Sequence, residues 1–236
     1  MGKKVKIAWS YVSGIGASIF YPPCLLSSLT RTDDRGIKNG VATCPAVLQY
    51  EQRVLVVRSP YTFKIRCDRK NERFLFQPVY PFTQVNEGSI RKLIKFEPTT
   101  SWRGKDIPLL QLTLPYVFFS DVPVYINQVD PTNTKSSKNW ALVQGRFNIY
   151  DWHRPINWSV EWVETTNDLI VRRGDPLFQL IFETNSPESS VEFIYQDMTD
   201  KLRKSVDAST GVTQLVKGTF NISKEHGLKR KGKLIE

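Results

Sequence analysis

The sequence is poor in the residues that build metal and redox centres. It has only two histidines, three cysteines and two methionines. Cys24, Cys44 and Cys67 form no Cys-x-x-Cys pair, and His153 is the one histidine outside the C-terminal tail. Because zinc and non-haem iron sites need several such ligands on one surface, we expect no metal centre and no cofactor. An odd number of scattered cysteines is typical of reduced thiols in the cytoplasm.

Long apolar runs are also missing. The segment after Met1 is interrupted by Ser10, Ser13 and two glycines, so it lacks the apolar centre of a signal peptide. No stretch reaches the roughly 18 apolar residues that a membrane-spanning helix requires. The sequence therefore predicts no membrane partner. It predicts a cytoplasmic protein unless the chain is assembled into a larger particle.

Recognisable catalytic motifs are absent as well. No Gly-x-Ser-x-Gly elbow occurs, and Gly14-Ile-Gly16 lacks the third glycine of a dinucleotide-binding loop. Asp33 and Asp34 lie in a polar stretch where solvent would keep both carboxylates ionised. We therefore predict that the protein is not an enzyme.

The chain is instead a succession of short apolar and aromatic segments separated by turn residues. Apolar and polar residues alternate strictly in 61–67 and in 156–162, as in antiparallel strands with one buried face. Strands are predicted over 5–12, 53–58, 61–67, 73–78, 90–96, 109–119, 122–128, 140–149, 157–163, 169–172, 177–183 and 191–195. No helical period precedes residue 196, which argues against βαβ folds. The predicted fold is all-β, an antiparallel β-sandwich or jelly roll with one C-terminal helix and a basic tail.

Four of the six tryptophans fall between residues 139 and 184. The alternation places Trp158, Val160 and Trp162 on one face of a strand and Ser159 and Glu161 on the other. We predict that the first face is buried in the core, because each indole can bury a large apolar area. The alternative is an aromatic and arginine platform for bases or sugars, which requires exposed rings.

Three regions differ in composition. Residues 1–196 are predicted to form a single β-sandwich domain that includes an N-terminal strand and a long loop or arm near 24–50. Residues 197–217 have apolar residues at helical spacing and predict a helix. Residues 218–236 form a basic tail that is predicted to lie outside the fold.

The formal net charge of +10 favours anionic partners, among them nucleic acid, an acidic protein surface or an anionic lipid face. Solvated faces together with one basic tail explain the same excess. We predict that the tail binds an anionic partner, including non-specific contact with DNA, through five cations: Lys224, Lys229, Arg230, Lys231 and Lys233.

One group of polar residues is a candidate small-molecule or catalytic site. A turn between two strands would place His153 near the surface beside its neighbours, although one histidine without a partner is more typical of a turn or an interface. The candidate cluster comprises Arg146, Asp151, His153, Arg154 and Arg173.

Several motifs carry a resemblance to known proteins. They are Tyr116-Val-Phe-Phe-Ser-Asp-Val-Pro-Val-Tyr125, Val143-Gln-Gly-Arg-Phe147, Asp151-Trp152, Pro155-Ile-Asn-Trp158 and Arg173-Gly-Asp-Pro-Leu-Phe178. Residues 74–184 thereby resemble an uncharacterised domain family of bacteria and marine tailed phages, which implies a β-sandwich without an established activity. Residues 170–182 are also similar to the closing strand of trimeric deoxyuridine triphosphatases and related deaminases, with Gly174 and Gln179 at matching positions. The uracil hairpin and the phosphate-binding serine motif of that superfamily are absent, so this second similarity implies a β-sandwich that favours oligomers.

These observations predict a non-enzymatic virion structural or capsid-associated protein of a tailed phage that works in an oligomer. Its expected partners are other virion proteins and further copies of itself, in a virion assembled in the host cytoplasm. The first alternative is a small-molecule-binding or enzymatic jelly roll with a site around Asp151 and His153. The second is a nucleic-acid-binding protein that uses the basic tail.

Overall fold

A computed structural model describes residues 3–12, 19–30, 43–70, 73–97, 107–132, 138–186, 188–215 and 232–236. The strands within these residues are β1 Lys4–Tyr11, β2 Cys24–Leu25, β3 Val54–Arg58, β4 Phe63–Lys70, β5 Arg73–Pro78, β6 Ile94–Glu97, β7 Leu109–Leu112, β8 Tyr116–Phe119, β9 Val124–Val129, β10 Trp140–Leu142, β11 Gly145–Asn148, β12 Trp158–Trp162, β13 Leu169–Val171, β14 Pro176–Thr184 and β15 Ser190–Tyr195. The helices are α1 Ser27–Thr30, α2 Pro45–Glu51, α3 Glu87–Leu93 and α4 Asp200–Leu215. The protein is therefore all-β, as the sequence predicts.

The strands form four sheets around one main core. The strand orders are β15-β1-β8, β10-β12-β7-β6, β11-β9-β14-β3-β2 and β13-β4-β5. All four sheets contribute buried side chains to the same apolar cluster, which gives a β-sandwich. Pairing is antiparallel between these strands except for β1 with β15, which is parallel from Lys4 opposite Ser190 to Trp9 opposite Tyr195.

β8 and most of β1 are buried on both faces. Ile7 and Phe118 point into the main core, whereas Ala8 and Phe119 belong to a second apolar cluster with Leu202 of α4. Because both faces of β8 are covered, all four of its residues are buried. This double coverage explains why the segment reads as a continuous apolar run and not as an alternation.

Two predicted strands each divide into two, because the chain changes sheets in the middle. Pro115 has no N–H to donate and separates β7, which pairs with β12, from β8, which pairs with β1. Residues 143–144 likewise separate β10, which pairs with β12, from β11, which pairs with β9. The continuous strands predicted over 109–119 and 140–149 are therefore wrong.

Helices replace two other predictions. The strand predicted over 90–96 begins as α3, because the Asn86 side chain accepts a hydrogen bond from Ser89 N at 2.8 Å and caps the helix. The predicted long loop near 24–50 contains β2, α1 and most of α2, and α2 begins at Pro45, a residue favoured in the first turn. Residues 31–42 of that segment lie outside the described residues. The predicted helix over 197–217 is present as α4, and Thr199 Oγ1 accepts from Leu202 N at its start.

The prediction for β12 is confirmed. Trp158, Val160 and Trp162 are fully buried, whereas Ser159 and Glu161 on the opposite face are only half-buried. Trp158 packs edge-on against Trp140, which is also buried, at a centroid distance of 5.0 Å. These rings are core residues and do not form an exposed platform.

We predict that Trp162→Ala lowers the free energy of unfolding by about 3–5 kcal/mol, because it removes a fully buried ring and leaves a cavity. Val163→Ala is the matched control, since the adjacent Val163 side chain is 56% exposed. Urea denaturation of both variants measures the difference. Equal stability of Trp162→Ala and the wild type would contradict the assignment of this ring to the core.

Candidate functional site

The predicted polar cluster does not form one site. Arg146 on β11 donates to Glu183 at 3.0 Å and lies over the Tyr125 ring at 4.0 Å. Arg173 precedes Pro176 at the opposite end of β14. At about 3.3 Å per residue, Glu183 and Pro176 are roughly 23 Å apart along that strand. The prediction that Arg146 and Arg173 belong to one site is therefore wrong, because the fold places them at opposite ends of β14.

The connection between β11 and β12 holds the other three residues of the cluster. It is tied to β8, because Ile156 N donates to Tyr116 O at 2.9 Å and Pro155 forms a bridge with Val117. The His153 side chain is only 1% exposed, and its Nδ1 lies 2.7 Å from Ser205 Oγ on α4. The prediction that His153 lies near the surface is wrong, because α4 packs over this connection.

The neighbours of His153 are held by local contacts. Asp151 Oδ2 accepts from Asn148 Nδ2 at 3.1 Å, within the turn that follows β11. The Arg154 guanidinium lies 5.3 Å from the centroid of the Trp152 ring. Burial lowers the pKa of Arg154, since desolvation disfavours the charged form. The connection is thus packed into the fold on several sides.

The contact between Ser205 and His153 combines a hydroxyl and an imidazole, the groups of a nucleophile and its base. Both side chains are buried, however, so the site offers a substrate little access. A hydrogen bond enclosed between two elements contributes most by satisfying polar groups that water cannot reach. This geometry supports a role in fastening α4 to the sandwich.

Of the five predicted anion-binding tail residues, Lys233 lies within the described part of the chain. Lys224, Lys229, Arg230 and Lys231 lie outside it. Lys233 is exposed, and its carbonyl oxygen accepts from the ammonium group of Lys201 on α4.

The segment Gly232–Glu236 is bound like a peptide in a groove. Asp121 accepts from two successive backbone N–H groups, Leu234 N at 2.7 Å and Ile235 N at 3.2 Å. The Gln196 amide donates to Leu234 O at 2.9 Å and accepts from Glu236 N at 3.0 Å. Side chains thus replace the backbone partners that a neighbouring strand would provide.

The Leu234 side chain completes this contact. It is 3% exposed and lies in the apolar cluster between the outer face of β1 and β8 and the inner face of α4. The prediction that the tail lies outside the fold is therefore wrong for its last five residues. The signal that sequence reasoning missed is the aliphatic pair Leu234-Ile235, which follows the run of cations.

Lys233 also joins three cations at the beginning of β1. Together with Lys3, Lys4 and Lys6 it lines an open groove of about 680 Å³. Lys4 is paired with Glu192 at 3.1 Å, and Asp121 and Glu236 lie in the same groove. The mixed charges make this a weaker anion site than the lysines alone suggest, so binding of an anionic partner here stays a prediction.

An apolar groove runs between the edge strand β5 and the α3–β6 segment. It has a volume of about 650 Å³, and its apolar lining includes Phe74, Leu75, Phe76 and Phe96. Phe76 on β5 stacks on Phe96 on β6 with 3.6 Å between ring centroids. The groove, here called the β5 groove, therefore lies where the edges of two sheets meet.

Among the described residues, no group of three histidine, cysteine, aspartate or glutamate side chains could hold a metal ion. Within the same residues, no helix is long and apolar enough to cross a membrane.

Comparison of the sequence with models of protein families and with curated proteins finds no match.

Ser205→Ala should lower the free energy of unfolding by about 1–3 kcal/mol, because it leaves a buried ring nitrogen of His153 without its hydroxyl partner. Lys204→Ala, at the exposed preceding position of α4, is the control. Thermal and urea melts compare the two variants. If they melt alike, the hydrogen bond does not fasten α4.

Leu234→Ala should lower the free energy of unfolding by about 2–5 kcal/mol, as for other buried leucines. Lys233→Ala, at the exposed neighbouring position, is the control and should have little effect on stability.

Truncation after Ile222 should lower the melting temperature, because it removes Leu234 together with the segment bound by Asp121 and Gln196. A truncated chain as stable as the full chain would show that this packing contributes nothing.

Proposed function

We propose that the protein is a non-enzymatic structural component of a tailed-phage virion, associated with the capsid, that works as part of an oligomer. The observation that carries the proposal is the β5 groove, where an edge strand lies beside exposed apolar side chains. Leu75 on β5 is 43% exposed, and Phe96 on the facing strand is exposed as well.

Edge strands of this kind favour association. β5 pairs with β4 on one side, and no described strand pairs with its other side. The N–H and C=O groups on this side, which pair with no described strand, could extend the sheet of another subunit, and the apolar groove would bury the side chains of that partner. An open sheet edge beside exposed apolar side chains is a surface suited to association.

The phage assignment rests on the resemblance of residues 74–184 to a domain family of marine tailed phages and bacteria. The motifs that carry this resemblance lie in the described strands β8, β9, β11, β12 and β14 and in their connections. Most of these residues build the sandwich. Asp121 and Arg173 each line an open groove of the described structure, and both are held there by hydrogen bonds to backbone groups. Such a set suits a structural protein better than a catalyst.

We predict that Leu75→Lys weakens self-association about tenfold or more, because a charge would have to be buried in the interface. Leu29→Lys on α1 is the matched control, since Leu29 is 49% exposed and lies outside the groove. Sedimentation over a range of protein concentrations measures both dissociation constants. A monomeric wild type, or equal weakening by the two variants, would contradict the proposed interface.

The virion assignment has its own test. Quantitative mass spectrometry of purified particles from the source virus should find the protein at a fixed copy number. Incorporation of the Leu75→Lys variant should fall while that of Leu29→Lys is retained. Absence of the protein from particles would exclude a virion role even if the chain is oligomeric in solution.

A further inference from the structure

A second, more polar cleft lies on the other side of α3. It has a volume of about 880 Å³, within the range of small-molecule sites. Five parts of the chain line it, namely Ile19, residues 60–62 after β3, residues 84–95 around α3, Thr113 after β7, and Arg173 in the turn before β14. This turn requires glycine at the next position, since Gly174 has φ +91°.

The charged side chains of this cleft are all positive. Lys92, Lys95 and Arg173 are exposed and line it, and no carboxylate is found among its lining residues in the described part of the chain. Neither lysine forms an ion pair with a described residue. Their charges are therefore left to solvent or to a ligand, and a cleft lined by one sign of charge concentrates counter-ions.

A fourth cation stands close behind this wall. The ζ carbons of Arg58 and Arg173 lie 4.4 Å and 4.7 Å from the centroid of the Tyr21 ring, so they are at most 9.1 Å apart. Arg58 forms no ion pair with a described residue, and its buried Nε has no hydrogen-bond partner among them. Arg58 is not among the residues that line the cleft, but a second cation within this distance of Arg173 adds to the positive potential there.

Hydrogen bonds hold the Arg173 side chain in place at the wall of the cleft. Its Nη1 donates to Ile19 O at 2.8 Å and to Pro60 O at 2.6 Å, and its backbone N donates to Thr62 Oγ1 at 3.0 Å. The remaining guanidinium N–H groups are not used in these bonds. A guanidinium fixed on one side can offer its other donors to a ligand with little loss of side-chain entropy.

The neutral part of the lining suits a ligand larger than an inorganic ion. Tyr61, Val85 and Leu93 provide apolar surface, and burial raises the pKa of Tyr61, so its phenol stays uncharged at neutral pH. Further hydrogen-bonding side chains are supplied by Thr62, Gln84, Asn86, Ser89 and Thr113.

We propose that this cleft binds a small phosphorylated molecule, with its phosphoryl groups among Lys92, Lys95 and Arg173 and its organic part against Tyr61. Three cations match a ligand with two or more negative charges better than a single carboxylate. Phosphoryl oxygens are also the acceptors that arginine and lysine bind most readily.

The test is a calorimetric titration of the full chain with inorganic pyrophosphate as the probe. Saturable binding at one site per chain is expected. The double variant K92A/K95A should weaken it about tenfold or more, because charge-assisted hydrogen bonds are lost. K70A/K204A is the matched control, since it removes the same charge at two exposed lysines outside the cleft and should leave the affinity unchanged.

Arg173 is left intact in these variants because its bonds to Ile19 and Pro60 are part of the fold. Absence of saturable binding, or equal weakening by both double variants, would overturn the proposal. In the second arm of the test, fluorescence anisotropy measures the binding of a short DNA duplex to the same variants. Binding of DNA but not of pyrophosphate, lost in K92A/K95A, would also overturn it by assigning the cleft to nucleic acid.

Discussion

Pairing of β1 with β8 is the interaction on which the rest of the structure depends. One face of this pair closes the main core with Ile7 and Phe118, and the other supports α4 through Ala8 and Phe119. The same β1 also holds β15 through the parallel pairing. Loss of the pair would therefore open the main core and the apolar cluster under α4 at once.

The outer layer on this pair is held by few but specific contacts. α4 is fastened by Leu202, Val206 and the bond between Ser205 and His153, and the Gly232–Glu236 segment is fastened by Asp121, Gln196 and Leu234. Gln196 directly follows β15, so the residue that clamps this segment is positioned by the parallel strand pair. Lys3, Lys4, Lys6 and Lys233 meet because the first three lie at or next to the beginning of β1 and the Gly232–Glu236 segment packs against the sheet that contains β1.

The strands were predictable where one face is buried and the other is wet. β12 shows this alternation, and its prediction lies within one residue of the observed ends. The changes of sheet at Pro115 and at 143–144 were not predictable, because only the tertiary pairing of each half with a different strand separates them. His153 and Leu234 were misplaced for a related reason. Their polar and basic sequence neighbours predict exposure to solvent. Both residues are instead covered by α4, and no local sequence pattern encodes where that helix packs.

The two proposed binding surfaces differ in the physical force that would drive association. At the β5 groove, Arg91 is already paired with Glu87 at 2.8 Å, so Lys95 is the main unpaired charge among its described lining residues. Subunits of net charge +10 repel at long range, but salt screens that repulsion beyond about 8 Å at physiological ionic strength. Self-association through the groove should therefore strengthen or stay constant as salt is added. Binding of a phosphorylated ligand between Lys92, Lys95 and Arg173 should weaken under the same change, because its energy comes from opposite charges at an exposed site. This difference in salt dependence would distinguish the two sites, which share the same short helix α3.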